Sequence, residues 1–251
     1  MLVVERQKKI VSMLHEMETV KIQDIIEVTG SSESTVRRDL MELERAGKLK
    51  RLHGGATLPQ NKLVEPTMEE KTAKNRHEKR QIAKFAAELV TEGDCIYLDA
   101  GTSTLEMIPF LKGKDVVVVT NGLMNIAALL EIGINTHVIG GYVKSGTSAF
   151  IGRSAIRSLE TYQFDKAFIG VNGISLKGEC TTPDPEEAFI KEYAIERAQQ
   201  GIILADHTKF GEVSFSTFAQ IRDCMIVTSN QIDKSYYEEL KGQTTLEVVS
   251  L

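Results

Sequence analysis

The stretch from Ser31 to Ala56, SSESTVRRDLMELERAGKLKRLHGGA, leaves the least freedom to a chain that carries it. Val36, Leu40 and Leu43 recur at helical spacing, with Ala46 one turn on, so the spacing predicts a helix with one apolar face. Ser32 suits the N-cap, where a hydroxyl accepts an orphan amide. Gly47 supplies the left-handed residue that ends the helix. Ser34, Arg37, Arg38 and Met41 project from the opposite face. After the stop, Lys48, Lys50 and Arg51 alternate with Leu49 and Leu52, and His53-Gly54-Gly55 makes a turn. A short basic helix followed by a basic hairpin is the layout of a winged helix-turn-helix, with the helix in the major groove and the wing along the phosphates. The candidate DNA contacts are therefore Ser34, Thr35, Arg37, Arg38, Lys48, Lys50, Arg51, His53 and Gly54.

An Arg-Arg pair alone is more often part of a solvated helix face. The longer run STVRRDLMELERAGKLKRLHGGA resembles the N-terminal signature of DeoR-type bacterial transcription repressors. Within that family, GSSESTVRRDL together with the later TTPDPEEA is most similar to the fructose-operon repressors.

The net charge of -5 looks wrong for a DNA binder until it is divided along the chain. Residues 1–60 hold ten Lys/Arg against nine Asp/Glu, and the remainder holds 20 against 26. Within 31–55 six basic side chains face four acids, so the basic footprint is local. The 251 residues suggest one large domain or two modest ones, and 42% hydrophobic residues are enough to pack a core. MLVVERQKKIVSML lacks the small-residue cleavage site of a secretion signal, and no apolar run approaches the ~18 residues of a membrane span. Cys95, Cys180 and Cys224 are odd in number and widely spaced, which argues for a reducing cytoplasm without disulfides or zinc.

In chain order, residues 3–17 predict a first helix through Ile10, Leu14 and Met17, and Val20-Lys21-Ile22 a short strand that pairs with the wing. Ile22, Ile25 and Ile26 begin a second helix that ends near Gly30. Residues 1–56 thus form the DNA-binding domain, 57–77, with Pro59 and Pro66, a linker, and 78–251 a second domain. Its strands are expected at 95–98, 116–120, 136–139, 167–170, 202–205, 225–228 and 246–249. Its helices are expected at 78–91, 105–111, 123–131, 154–159, 186–199 and 236–240. That alternation predicts an α/β domain with a mainly parallel sheet, whose ligands bind at the strand carboxyl ends.

Polar residues fall at those ends. Asp99-Ala100-Gly101-Thr102-Ser103-Thr104 offers amides and hydroxyls that suit a phosphate, although the same residues could simply cap a helix. Asn121, Gly141, Asn172, Asp206 and Lys209 end later strands. Glu187 and Lys191 stand one helical turn apart, a spacing also met in surface pairs. Residues 78–230 resemble the effector domain of DeoR-type repressors, which is similar in fold to ribose-5-phosphate isomerase. That resemblance implies that Gly101, Thr102, Ser103 and Thr104 form the phosphate loop, with Asp99, Asn121, Glu187, Lys191, Asp206 and Lys209 facing a sugar phosphate. Where the isomerase carries an acid-rich run, this chain reads Ile169-Gly170-Val171-Asn172-Gly173. An amide cannot replace a carboxylate in moving protons, so the pocket is expected to bind without catalysing, although Glu192 and Lys209 align with isomerase positions.

The expectation is a cytoplasmic repressor of a sugar operon, homodimeric or homotetrameric, that binds double-stranded operator DNA. It would be released by a phosphosugar such as fructose 1-phosphate, with no metal, cofactor, membrane contact or catalytic residue. The alternatives are a sugar-phosphate isomerase or deaminase carrying a DNA-binding module, and an activator using the same contacts.

Overall fold

Three hydrophobic cores organise the chain, one in the unit Met1–Asn61 and two in the unit Lys62–Leu251. The computed structural model describes residues 2–17, 19–52, 54–58, 62–63 and 65–251. The smaller unit runs α1 Val3–Met17, β1 Thr19–Lys21, α2 Ile22–Thr29, α3 Glu33–Arg45, β2 Lys50–Leu52 and β3 Gly55–Thr57. Ile10 and Leu14 of α1, Ile25 of α2 and Val36, Leu40 and Leu43 of α3 meet in its core, closed by Val20, Leu49 and Ala56. Ser32 caps α3 by accepting the Thr35 amide at 3.4 Å. At the other end Gly47 takes φ 66° and the Lys48 amide returns to the Leu43 carbonyl at 2.9 Å, closing the last turn.

The wing is an antiparallel ribbon in the order β1-β3-β2, with Val20 opposite Ala56 and Lys21 opposite Gly55. A Cβ on Gly55 would lie 2.2 Å from the Val20 carbonyl oxygen, so this close approach admits glycine alone. The first strand begins one residue earlier than expected, because Ile22 is drawn into α2 and the core. Ala46 is exposed rather than on the apolar face, because the chain turns away at Gly47. Asp39 of α3 is buried, and its carboxylate pairs with the Arg6 guanidinium of α1.

The larger unit opens with α4 Met68–Ala73 and α5 Arg76–Glu88, then β4 Cys95–Leu98, α6 Thr102–Leu105, β5 Val117–Thr120, α7 Leu123–Glu131 and β6 Asn135–Val138. A hairpin of β7 Tyr142–Lys144 and β8 Ala149–Ile151 leads to α8 Arg153–Leu159 and β9 Phe164–Gly170. There follow β10 Gly173–Ile174, β11 Glu179–Thr182, α9 Pro185–Glu196, β12 Ala198–Leu204, β13 Ser216–Gln220, β14 Met225–Ser229, α10 Lys234–Leu240 and β15 Leu246–Val249. Seven strands form one sheet in the order β15-β14-β12-β9-β4-β5-β6, and every pair is parallel. Successive side chains point to opposite faces. Ile96, Leu98, Phe168 and Leu204 therefore pack with Ile82 and Ala86 of α5, while Tyr97, Ile169 and Ile203 pack with Ile190 and Ala194 of α9. Burial on both faces explains the nearly continuous apolar runs of these strands.

Several expectations needed correction. The linker expected over 57–77 is largely built into folded units: Thr57 ends β3, and 65–77 packs on the larger unit through α4 and the start of α5. The Met68 amide donates to the Gly146 carbonyl at 3.1 Å, and Glu65 pairs with Lys71 and Lys144. The helix expected over 105–111 is instead α6 and a 3-10 turn at Ile108–Leu111, with Pro109 at its start. The one expected to reach Gln199 stops at Glu196, because β12 takes residues from Ala198 to pair with Phe164 of β9. The hairpin β7-β8 and the small sheet β10-β11-β13 lacked a legible pattern, being short and made of mixed residue types.

Candidate functional site

On α3, Ser34, Arg37, Arg38 and Met41 are exposed, opposite the core face. The hydroxyls of Ser34 and Thr35 share hydrogen bonds with that of Ser32, at 3.1 and 2.9 Å, which gathers three hydroxyls at the helix start. Arg37 pairs with Glu33 at 2.6 Å, both side chains more than half exposed. An exposed i,i+4 pair contributes about 0.3–0.5 kcal/mol, so exchanging it for a DNA contact costs little. Lys48 is exposed and Lys50 partly buried. Arg51, expected to meet a phosphate from the wing, donates its amide and its Nε to Glu44 at 2.8 and 2.6 Å, tying β2 back to α3. Gly54, with φ 96°, makes the wing turn, and His53 lies outside the described residues.

In the larger unit, β5 and β6 are laid down on one side of β4 before the chain returns to β9 and builds outward through β12. The carboxyl ends of β4 and β9 therefore flank the topological switch point, the usual binding crevice of such sheets. Asp99 follows β4 and Gly170 ends β9. The Gly170 amide donates to the Asp99 carboxylate at 2.9 Å, and Lys191 Nζ donates to the same oxygen. Lys191 also donates to the Gly170 carbonyl at 3.2 Å, and its ammonium lies 5.8 Å from the Phe218 ring centroid. The side chains of Lys191 and Asp99 are 5% and 2% exposed. Burial pushes the Lys191 pKa down, but Asp99 and Glu187 outweigh it and the pKa stands raised, so the lysine stays charged. The buried Tyr97 hydroxyl, within electrostatic reach of Asp99 and Glu187, has no hydrogen-bond partner among the described residues.

The loop after Asp99 is held from both sides. Asn121 Oδ1 accepts the Ala100 amide at 2.7 Å, and Asn125 Nδ2 donates to the Asp99 carbonyl at 3.0 Å. The Thr104 hydroxyl, expected to face a ligand, is shared between the carbonyls of Asp99 and Gly101 at 2.7 and 2.8 Å, because it closes the loop. The hydroxyls of Thr102 and Ser103 make no hydrogen bond among the described residues. They stand with the amides of Gly101, Thr102 and Ser103 in the turn that opens α6, where a helix leaves donors unspent.

Glu187 and Lys191 share the inward face of α9 and are buried, not a surface pair. Glu187 accepts the Thr147 hydroxyl at 2.5 Å and Lys144 Nζ at 3.2 Å. Lys144 also meets Asp184 at 2.8 Å and Glu65 at 2.5 Å, so three carboxylates surround one ammonium. Burial lowers the Lys144 pKa, and these acids outweigh it and raise it. The carboxyl of Glu65 is pushed up by burial, but Lys71 and Lys144 hold it below the usual range.

Asp206 accepts the Asn75 amide group at 3.1 Å and the Thr208 amide at 3.0 Å. Lys209, partly buried, lies in the 3-10 turn beside it and, with Lys79, helps hold the Asp206 carboxyl down against burial. Lys79 donates to the Lys71 carbonyl, and burial lowers its pKa to about 8. Glu78 accepts the His207 amide at 2.8 Å and the Ser229 hydroxyl at 2.6 Å, and its other oxygen faces His207 Nδ1 at 2.8 Å. Glu78, Asp206 and His207 bring ligand atoms within 4.8 Å of one another. Their oxygens already hold donors, and Lys79 and Lys209 adjoin them, so the cluster docks α5 on the strand ends. Two expected site residues play backbone parts. The Asn172 side chain accepts the Thr182 hydroxyl at 3.1 Å within the turn after β9. Gly141 is exposed, at a place where a Cβ would lie 2.5 Å from the Ile151 carbonyl oxygen.

Comparison with known proteins matches residues 6–62 to the DeoR-like helix-turn-helix domain and residues 74–231 to the DeoR C terminal sensor domain. The chain belongs to the DeoR family. Among its relatives, an uncharacterized HTH-type transcriptional regulator FruR of Bacillus subtilis (strain 168) is 48% identical over 250 residues, 99% of each chain. The lactose phosphotransferase system repressor of Staphylococcus aureus (strain NCTC 8325 / PS 47) is 32% identical over 249 residues, 98% of each. Among solved structures, ribose 5-phosphate isomerase A of Methanocaldococcus jannaschii overlaps 54% of this chain and 55% of its own, with 17% identity and a TM-score of 0.42.

This DeoR-family chain is thus a DNA-binding transcriptional regulator, with α3 in its helix-turn-helix domain and the Asp99–Lys191 crevice in its sensor domain. No helix among the described residues is long and apolar enough to cross a membrane. The residues that sequence reasoning missed around the crevice are Glu65, Lys144, Thr147 and Asp184. Glu65 sat in the presumed linker and Lys144 in a three-residue strand, and neither carries a motif that points to it.

Proposed function

We propose that this DeoR-family regulator represses a sugar-utilisation operon, that of fructose, and that a small phosphorylated sugar in the Asp99 crevice releases it from its operator. The observation that carries the reading is the juxtaposition at the switch point of unspent loop donors with a buried, charged Lys191–Asp99 pair. The loop at Gly101–Ser103 offers a phosphate its amides and the hydroxyls of Thr102 and Ser103. Asp99, Glu187 and Tyr97 offer acceptors and a donor to sugar hydroxyls, while Asp206 and Lys209 border the crevice on the β12 side. Thr104, Asn121, Gly141 and Asn172 shape the loops around it. The choice of fructose 1-phosphate rests on the resemblance of GSSESTVRRDL and TTPDPEEA to fructose-operon repressors. Repression is supported by relatives named as repressors.

The DNA-reading residues are Ser34, Thr35, Arg37, Arg38, Lys48, Lys50, Arg51, His53 and Gly54, in a cytoplasmic protein that acts as a homodimer or homotetramer because one helix-turn-helix covers few base pairs. Effector must bind the DNA-incompetent arrangement more tightly than the competent one, since equal affinity shifts nothing. Fructose 1-phosphate, fructose 6-phosphate and free fructose are titrated against a labelled operator complex. Release by fructose 1-phosphate at concentrations where free fructose does nothing supports the reading, and equal release by free fructose sinks the phosphate loop. Sedimentation of the full chain as a monomer at micromolar concentration sinks the oligomer. Steady isomerisation of a phosphosugar by the purified chain would favour the enzyme.

A further inference from the structure

Lys144 sits in a cluster where negative charge is in excess. The carboxylates of Glu65, Asp99, Asp184 and Glu187 are balanced by the ammonium groups of Lys71, Lys144 and Lys191, and Lys144 alone touches three of the four acids. A phosphate dianion arriving here would add two charges to an arrangement that already carries one too many. Charges a few ångströms apart interact by several kcal/mol at the dielectric of a partly buried site, so one carboxylate must yield.

Three of the acids are mounted on the sheet or on α9, where the backbone is fixed by packing. Asp99 is clasped by Gly170 and Lys191, Asp184 caps α9, and Glu187 lies within α9. Glu65 is mounted differently. It belongs to the strap of residues 65–75, whose helix α4 has no buried side chain. That strap is held to the rest of the unit by a handful of polar ties: Glu65 to Lys144, the Met68 amide to Gly146, Lys79 to the Lys71 carbonyl, and Asn75 to Asp206. Few apolar contacts and many polar ones mark a segment that opens below the global unfolding energy. The strap also packs beside α6, the helix that follows the Gly101–Ser103 loop. Met68, Thr72, Ala73 and Arg76 line a cavity of about 460 Å³ together with Leu105 of α6, Met124 and Ser148.

We propose that Lys144 is an anion-binding residue of the effector crevice, held in the ligand-free chain by Glu65, and that a sugar phosphate displaces Glu65 and unlatches the strap 65–75. The inference rests on the reading of the crevice as a phosphosugar site and deepens it by assigning a ligand and its internal competitor.

The test uses the full chain, with fructose 1-phosphate, fructose 6-phosphate and inorganic phosphate as probes. Calorimetry gives affinities for the parent, Glu65→Gln and Lys144→Met, and hydrogen exchange follows the amides of residues 65–75 in the parent. Glu65→Gln keeps the shape of the side chain and removes the competing charge, so the sugar phosphate should bind several-fold tighter. Lys144→Met should bind at least tenfold more weakly, and ligand should speed exchange across 65–75 in the parent. Exchange in the parent needs no variant to fold, so it decides the matter if Lys144→Met is unstable. Binding without faster exchange, or Glu65→Gln binding no tighter than the parent, overturns the latch and leaves the phosphosugar reading intact. Failure of every probe to bind the parent overturns both.

Discussion

Replacing Lys191 by Met offers the sharpest test of how the crevice is held together. Met fills a similar volume against Phe218 but removes the ammonium that pairs with Asp99, leaving a carboxylate that is 2% exposed with the Gly170 amide as its remaining donor among the described residues. Breaking one partner of a buried pair typically costs about 3–5 kcal/mol, because the surviving charge stays desolvated and uncompensated. Set against domain stabilities of roughly 5–15 kcal/mol, that is a large fraction. With a urea slope of about 2 kcal/mol per M, the unfolding midpoint should fall by roughly 2 M. All six tyrosines lie beyond residue 61 and the chain has no Trp, so tyrosine fluorescence reports the larger unit without the smaller one. The double variant Lys191→Met with Asp99→Asn removes both charges and keeps an acceptor for Gly170. It should recover most of the loss, leaving a deficit of about 1 kcal/mol. A single variant within about 1 kcal/mol of the parent would mean that the pair behaves as an exposed one, and the account of the crevice would fall.

Arg37→Ala with Arg38→Ala should weaken operator binding by about 1–3 kcal/mol for a lost base contact and lower the salt slope by about 1 for a lost phosphate contact. Filter binding across a salt series checks this, and unchanged affinity would remove α3 from the groove. Gly55→Ala places a methyl 2.2 Å from the Val20 carbonyl oxygen, so operator binding should drop more than tenfold while the tyrosine-detected transition stays put. A wing that tolerates alanine would contradict the ribbon register. Lys79 has a folded pKa of about 8 against an ordinary 10.5, so between those values the unfolded chain binds the extra proton and stability rises with pH on its account. Comparing urea midpoints of the parent and Lys79→Met from pH 7.5 to 10 should therefore show the gap moving in the parent's favour, and a flat difference would mean that Lys79 is not desolvated.

Local physics made much of this chain legible from its residues. The spacing of Val36, Leu40 and Leu43, the hydroxyl of Ser32 and the left-handed Gly47 specify α3 without help from the rest of the fold, because caps and periodicity act over a few residues. The inner strands of the sheet were legible for a similar reason, since burial on both faces demands apolar runs, as in β4, β9 and β12. Their order was not, because it depends on where the chain crosses over, and so the meeting of Asp99 with Gly170 and Lys191 belongs to the tertiary structure. Tertiary structure likewise turned Thr104 inward, made Asn172 and Gly141 parts of turns, and spent Arg51 on Glu44. Above all, it brought Glu65 to Lys144, 79 residues away, where the same ammonium also meets Asp184 and Glu187. Neither residue announces itself in the sequence, because a lone charge beside a proline or in a short hairpin carries no pattern. Its role is set by the desolvated charges that folding places around it.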